Sequence, residues 1–180
     1  MLNQSNRFLS PREIVEQFGI SLNSQVADFG SGAGDFAIAL AELIAPKGKV
    51  YAIDVLESAH QSLRSKYKIK NITNIELILA DLECEKGSNL PDNILDLVMI
   101  HNILFQVNNK KHIIKEANRV LKESGKLAII EWDIMSPIGP PKSLRLPERE
   151  LLSLLQNNGF EIESRIEAGK YHYSYIFNKL

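Results

Sequence analysis

Cysteine is almost absent from this sequence: Cys84 is the only one in 180 residues. A single thiol excludes an intramolecular disulfide framework and any cysteine-based zinc site. Such scarcity fits a reducing compartment, and a cytoplasmic location is expected. Long apolar runs are also missing. None approaches the ~20 residues a membrane-spanning helix needs, so no membrane insertion is expected. The opening residues Met1-Leu2-Asn3-Gln4-Ser5-Asn6-Arg7 lack the apolar core of a signal peptide. Charge of one sign is scarce too. The formal net charge is −1, which supplies no field to draw nucleic acid or an anionic membrane, and no nucleic-acid partner is expected. No internal repeat or low-complexity tract divides the chain, and its length favours one domain over residues 1–180 with a single sizeable core.

What is present is an alternation of strands and helices. Ser10-Pro11-Arg12-Glu13 has the form of a capping box with proline at the first helical position. The short helix that follows, carrying Ile14, Val15 and Phe18, ends at Gly19 and belongs to an N-terminal helix or lid segment over residues 1–20. Strands are expected over residues 25–29, 49–54, 75–80, 95–100 and 127–132. Helices between them bear Phe36, Leu40, Leu43 and Ile44, then Leu56, Ala59, Leu63 and Tyr67, then Ile113, Ala117, Val120 and Leu121. Short connections of this kind predict a mostly parallel sheet with helices on both faces. The runs Leu77-Ile78-Leu79-Ala80 and Leu97-Val98-Met99-Ile100 read as strands buried on both faces. After a proline-rich loop at residues 134–147 come a helix to about Asn158 and two strands, residues 160–167 and 171–178, whose tight connection makes them antiparallel.

The segment with chemical content is Val26-Ala27-Asp28-Phe29-Gly30-Ser31-Gly32-Ala33-Gly34. Glycines at alternate positions after a strand let the backbone turn into a helix and let a ligand touch the main chain. In open α/β sheets, ligands bind at the carboxyl ends of strands near such a turn. A nicotinamide fingerprint, counted from Gly30, places Asp35 where the third glycine belongs, and that carboxylate would face a pyrophosphate. Counted from Gly32, Ala37 takes the last place, a tolerated variant. A nucleotide P-loop fails outright: the Gly-Lys pairs are followed by Val50, Leu127 and Tyr171, none of them serine or threonine.

The remaining pattern, D-x-G-x-G-x-G over Asp28 to Gly34, resembles motif I of the class I S-adenosylmethionine-dependent methyltransferases. Four further segments agree in order and spacing. Val50-Tyr51-Ala52-Ile53-Asp54 is similar to the family's second strand with its acidic end, and Ala80-Asp81-Leu82 to the end of the third. Residues 90–98 resemble the entry to the fourth strand, and residues 121–127 the turn before the fifth. The resemblance covers residues 10–180. It implies a Rossmann-like α/β fold, a seven-stranded mostly parallel sheet with an antiparallel last strand. It also implies S-adenosyl-L-methionine as cofactor, a transferase activity and a small-molecule methyl acceptor. Carried over residue by residue, it makes Asp28, Gly30, Ser31, Gly32, Gly34, Asp54, Val55, Asp81, Leu82 and His101 the cofactor-binding candidates. Asp54 would hold the ribose hydroxyls, with charge-assisted bonds of about 1.5–3 kcal/mol each. Asp28, Asp54 and Asp81 on one rim would attract a cation.

Each candidate has a plainer reading. Asp54 can cap the next helix, Asp28 can bond the loop amides, and Asp81 can be structural. His101-Asn102 follows the fourth strand, which makes His101 the candidate base or acceptor-positioning residue; the alternative is a histidine bonded to the loop. Glu131 and Asp133 are candidate acceptor contacts or ordinary loop carboxylates. His60 and His112 read as solvated, and Arg64, Lys66, Lys68 and Lys70 as a solvated helix end. Tyr171, Tyr173 and Tyr175 share one strand face and read as packing. No ligand cluster suggests a metal, and the fourth strand does not end in the Asn/Asp-Pro-Pro-Tyr/Phe of base-amine methylation. Phe8, Ile103, Phe105, Trp132, Met135 and the loop Pro137 to Leu146 are the apolar pieces available for an acceptor pocket. The competing functions are a non-catalytic interaction or regulatory subunit of the same fold, and a nicotinamide-dependent oxidoreductase. Oligomeric state has no signature in the sequence.

Overall fold

The computed structural model describes residues 10–180. Its strands are β1 Gln25–Phe29, β2 Lys49–Asp54, β3 Ile75–Leu79, β4 Leu95–His101, β5 Leu121–Trp132, β6 Phe160–Arg165 and β7 His172–Lys179. Its helices are α1 Pro11–Val15, α2 Asp35–Ile44, α3 Glu57–Ile69, α4 Lys110–Val120 and α5 Glu148–Gln156, with 3-10 turns at Glu16–Phe18 and Lys142–Leu144. The strands form one sheet in the order β3-β2-β1-β4-β5-β7-β6. Pairs from β3 across to β5 are parallel, and β7 runs antiparallel to both β5 and β6.

Alternation along each strand sorts the core into two layers. Val26, Val50, Ala52, Leu97, Met99, Ala128 and Ile130 join α1, α2 and Leu63 of α3 on one face. Ala27, Phe29, Ile53, Val98, Ile100, Leu127 and Ile129 join α4 and α5 on the other. This is the doubly covered sheet that the sequence pattern predicts. Because β2 and β4 flank β1 while the chain leaves β1 toward β2, the strand order reverses between β1 and β4. A crevice therefore opens beyond the carboxyl ends of those strands.

Several local expectations are corrected. Ser10 precedes α1 with extended backbone but makes no side-chain cap bond, so no capping box forms; Gly19 does end the segment in the left-handed region at φ 65°. Ile14, Val15 and Phe18 of this segment are buried in the core, and Pro11 lines the crevice beyond the strand ends. β3 is not buried on both faces: it is an edge strand, and Leu79 is 54% exposed. An apolar run long enough for a buried strand cannot report which strand has only one neighbour. β5 begins at Leu121 rather than Leu127, with a register irregularity opposite Leu95 and Leu97. Tyr173 and Tyr175 pack in the core as expected, and the Tyr173 hydroxyl donates to the Leu146 carbonyl at 2.8 Å.

Long connections are pinned by polar networks. Arg119 of α4 bonds Glu116, Asp92 and the carbonyl of Leu90, while the backbone N–H and hydroxyl of Ser88 donate to the buried Glu116. This fixes the stretch between β3 and β4. The proline-rich loop is held by Arg145, whose guanidinium donates to the carbonyls of Asp133, Ser136, Ile138 and Pro140 at 2.7 to 3.0 Å.

The glycine turn after β1 is set by packing as much as by torsion. A Cβ on Gly34 would lie 2.3 Å from Leu63 Cδ1, and Gly34 has φ +83°. We predict that Gly34→Ala lowers unfolding stability by about 2–5 kcal/mol, combining left-handed strain with core overlap. Urea denaturation of Gly34→Ala, Leu63→Ala and the double variant checks the cause. The double variant should be less destabilised than the two singles added together, and strict additivity would exclude the overlap with Leu63.

Candidate functional site

A cavity of about 680 Å³ occupies the crevice at the carboxyl ends of β1, β2 and β4. That size suits a small-molecule or cofactor site. Its floor is the turn Gly30 to Gly34, whose three glycines have different duties. A Cβ on Gly30 would strike Ile103, 2.4 Å away, and one on Gly34 would strike Leu63. Gly32, at φ +51°, would meet nothing within 4 Å. Two glycines are therefore required by the protein's own packing. The third leaves bare backbone facing open space, where a ligand can lie against it.

Asp54, the last residue of β2, ties the turn to its neighbour. Its Oδ2 accepts from the backbone N–H of Gly32 at 2.8 Å, and its Oδ1 accepts from that of Leu56 at 2.9 Å. The N–H groups of Gly30 and Ser31 donate to the carbonyl of Ile53 at 2.8 and 3.0 Å. The helix-entry role and a place on the cavity rim are thus both realised in one carboxylate. Each oxygen keeps a second lone pair. Val55 stands beside it, 62% exposed and lining the cavity.

Asp28 also lines the cavity but is buried, and its Oδ2 has no hydrogen-bond partner among the described residues. Burial, reinforced by the charge of Asp54 and opposed by a bond from the Ala37 amide, pushes its pKa up to about 7. The expected rim of three ionised carboxylates is therefore corrected. Asp28 is only partly charged near neutral pH, because a carboxylate out of water holds its proton. Ser31 Oγ is likewise buried and unpartnered among the described residues. Asp81 accepts from the amide of Glu83 at 2.9 Å, an Asx turn at the exit of β3, and Leu82 is buried on the cavity wall. Asp35, at the start of α2, pairs with Lys66 at 2.5 Å. That pairing weakens the charge objection to a pyrophosphate, and with the Lys70–Glu42 pair at 2.7 Å it removes Lys66 and Lys70 from the set of purely solvated helix-end charges.

His101, Asn102 and Phe36 form the opposite wall. Phe36 packs against the His101 ring at a centroid distance of 4.4 Å. Desolvation first, then the proximity of His172, lowers the His101 pKa to about 4, with Asp35 acting the other way. His101 is thus neutral near pH 7. It bonds not the loop backbone but the side chain of Asn102, whose Nδ2 lies 3.0 Å from both His101 Nε2 and His172 Nε2. His172, on β7, stacks on Trp132 at 4.2 Å.

Three residues stand in surroundings that sequence reasoning did not anticipate. His172 was hidden inside a tyrosine-rich strand, where alternation assigns it to the face opposite the tyrosines. Glu131 belongs to β5 and is fully buried, not a loop carboxylate. Its Oε1 accepts from the Leu104 amide at 2.8 Å, and desolvation raises its pKa to about 7. His60 is buried at 2% exposure, against the expectation of a solvated helix face, whereas His112 is exposed as expected. Leu-like burial of a histidine has no signal in helical spacing alone.

Of the apolar pieces proposed for an acceptor pocket, Ile103 lines the cavity. Phe8 lies outside the described residues. Trp132 lies beneath the proline-rich loop, where a Cβ on Gly139 would come within 2.6 Å of its ring. Met135 sits instead by a separate shallow depression with Asp133 and Tyr171. Among the described residues no group of acidic, histidine or cysteine side chains is arranged to hold a metal, and no helix is long and apolar enough to cross a membrane.

The family model described as a methyltransferase domain matches residues 20–177. A ubiquinone/menaquinone biosynthesis C-methyltransferase, UbiE, from Pseudomonas putida is 33% identical over 122 residues, 67% of this chain and 46% of that protein. A demethylmenaquinone methyltransferase from Geobacillus is 31% identical over 134 residues, 74% of this chain and 56% of that protein. The chain therefore spans about half the length of these curated relatives. A crystal structure of a SAM-dependent methyltransferase from Aquifex aeolicus superposes with a TM-score of 0.87 at 28% identity, covering 96% of this chain and 91% of that one. A type 11 methyltransferase structure from Sulfolobus solfataricus gives a TM-score of 0.78 at 26% identity, covering 96% and 94%. With the glycine turn, the strand-end carboxylate and the strand order all in agreement, the chain belongs to the class I S-adenosylmethionine-dependent methyltransferase family.

Proposed function

We propose that this chain binds S-adenosylmethionine in the cavity beyond β1, β2 and β4 and transfers its methyl group to a small organic acceptor. The observation that carries the reading is the pairing of Gly32 with Asp54. Side-chain-free backbone facing open space is joined by one hydrogen bond to a carboxylate on the same rim. The residues fit the cofactor. Asp54 has free lone pairs for a cis-diol, and Val55 and Leu82 offer apolar surface for an adenine. Asp28 Oδ2 and Ser31 Oγ are buried polar atoms that lack partners among the described residues, as groups awaiting an amino-acid moiety would. When bound, the cofactor supplies an electrophilic methyl group on a sulfonium. The chain's own contribution is to hold and orient, and alignment alone can remove several kcal/mol of a displacement barrier. The Pseudomonas ubiquinone/menaquinone biosynthesis C-methyltransferase and the Geobacillus demethylmenaquinone methyltransferase, by their names, support a small-molecule acceptor for this chain.

Isothermal titration calorimetry tests the reading. The protein should bind S-adenosylmethionine and S-adenosylhomocysteine with micromolar affinity and show no comparable affinity for NAD(H). Asp54→Ala should weaken binding about a hundredfold or more, the share of two charge-assisted hydrogen bonds. Gly32→Val should abolish it by filling the approach to the backbone. Absence of S-adenosylmethionine binding by the folded wild-type protein would remove the proposal.

The partly protonated Asp28 adds a pH signature. An ionised Asp28 attracts the cationic cofactor and a protonated one does not, so affinity for S-adenosylmethionine should rise from pH 5.5 to 7.5. The slope is bounded at about tenfold per pH unit by one linked proton. Calorimetry in buffers of different ionisation enthalpy should record a proton released on binding. In Asp28→Asn both the slope and the released proton should vanish; their persistence would assign the linkage to another group.

A further inference from the structure

Asn102 is the first residue beyond β4, and three features of it are unusual together. Its φ is +53°, in the left-handed region that asparagine enters more readily than other side-chain-bearing residues. Its backbone N–H still donates to the Ile130 carbonyl at 2.9 Å, continuing the ladder to β5. Its side chain crosses the end of β5 to reach β7, and the amide nitrogen stands 3.0 Å from the Nε2 atoms of two histidines 71 residues apart in number, His101 and His172. Each ring is clamped on an aromatic neighbour: His101 on Phe36 at 4.4 Å and His172 on Trp132 at 4.2 Å. Trp132 in turn lies under Gly139 of the loop that Arg145 secures.

An amide NH2 carries two hydrogens and no lone pair to offer, so a nitrogen facing it must be an acceptor. Two imidazoles that both accept at Nε2 are both neutral, and both carry their hydrogen on Nδ1. His101 then has no free lone pair with which to take a proton. The polar atom it retains is Nδ1–H, a donor, in a residue that lines the cavity.

Resting on the methyltransferase reading, we infer that the Asn102 bridge locks His101 as a hydrogen-bond donor toward the methyl acceptor, with His172 as the positioning residue that completes the lock. The acceptor must then present a lone pair to His101, and its nucleophilic atom must reach the methyl group without surrendering a proton to this histidine. Asp35 from α2 and His172 from β7 are the titratable groups that act on His101. Asp35 favours the imidazolium, while burial and His172 disfavour it and prevail, which leaves the ring neutral.

Long-range 1H–15N NMR of the 15N-labelled protein, free and loaded with S-adenosylhomocysteine, tests this without knowledge of the acceptor. His60, His101, His112 and His172 are assigned by single substitutions. We expect His101 and His172 to show the neutral Nδ1–H pattern from pH 5.5 to 8.5, with no titration near pH 6.5. His172→Phe keeps a ring on Trp132, and Asn102→Gly keeps the left-handed backbone free of strain. In both variants His101 should become a mixture of tautomers and titrate at higher pH, while in His172→Phe, a position outside the cavity lining, S-adenosylhomocysteine affinity changes less than about threefold, which shows that the fold is intact. An Nε2–H pattern at His101 in the wild-type protein would overturn the inference, because Nδ1 would then hold a free lone pair for a base. So would a His101 signal that neither variant moves. A protein that shows the expected tautomers but binds no S-adenosylhomocysteine would keep the bridge and discard the methyltransferase reading instead.

Discussion

The hydrogen bond from the Gly32 amide to the Asp54 carboxylate joins two strands' worth of chemistry at one point. Gly32 donates from a backbone in the left-handed region, between Gly30 and Gly34, where Ile103 and Leu63 leave no room for a Cβ. Asp54 can accept only because parallel pairing sets Phe29 beside Ile53, one residue from the end of β2. Shift that register by one residue and the carboxylate turns to the other face of the sheet. The same carboxylate holds the Leu56 amide at the entry to α3, and α3 carries the Leu63 that packs on Gly34. The turn, the strand end and the helix thus form a closed loop of constraints around the cavity floor.

This explains why the core of the site was legible in the sequence while its far wall was not. Asp28, Gly30, Gly32, Gly34 and Asp54 lie within 27 residues, and each has its type for a local reason: a turn, a close approach or a strand end. Local reasons leave local patterns, and a reader of sequence can see them. Strand order, helix placement and the antiparallel β7 were legible for similar reasons, since short connections admit few topologies. The Asn102 bridge has no such trace. It depends on β7 lying beside β5 and on a two-residue offset between His101 and Trp132 across three strands. Nothing in Tyr171-His172-Tyr173 distinguishes a histidine at a site from one in a strand. The burial of Glu131 was missed for a related reason. Its acceptor role toward the Leu104 amide arises where β4 ends, 27 residues earlier, and a carboxylate at the end of an apolar strand looks in sequence like the start of a loop.

Burial governs the electrostatics of the whole wall. Asp28 and Glu131 hold protons up to about pH 7, and His101 and His172 refuse them until about pH 4. Desolvation is the first cause in all four, acting with opposite sign on acids and bases because it penalises whichever form is charged. The linkage to stability therefore runs in two directions. The acids are protonated in the folded chain but ionise near 3.8 and 4.5 when unfolded, so their contribution is present at low pH and is lost as pH rises toward 7. The histidines protonate near 6.5 when unfolded, so their contribution is present at high pH and is lost as pH falls through 6.5 toward 4. Between about pH 4 and 7 the two pairs oppose each other, which flattens the stability profile in that window.

Burial leaves the inner wall of this cavity with little fixed charge, since His101 is neutral and Asp28 only partly ionised near pH 7. Asp54 stands on the rim with Asp35 and Asp81, partly exposed and with two backbone donors already attached. Burial of one carboxylate makes the charge of this wall depend on pH, and a cation lying against Asp28 would favour its ionised form.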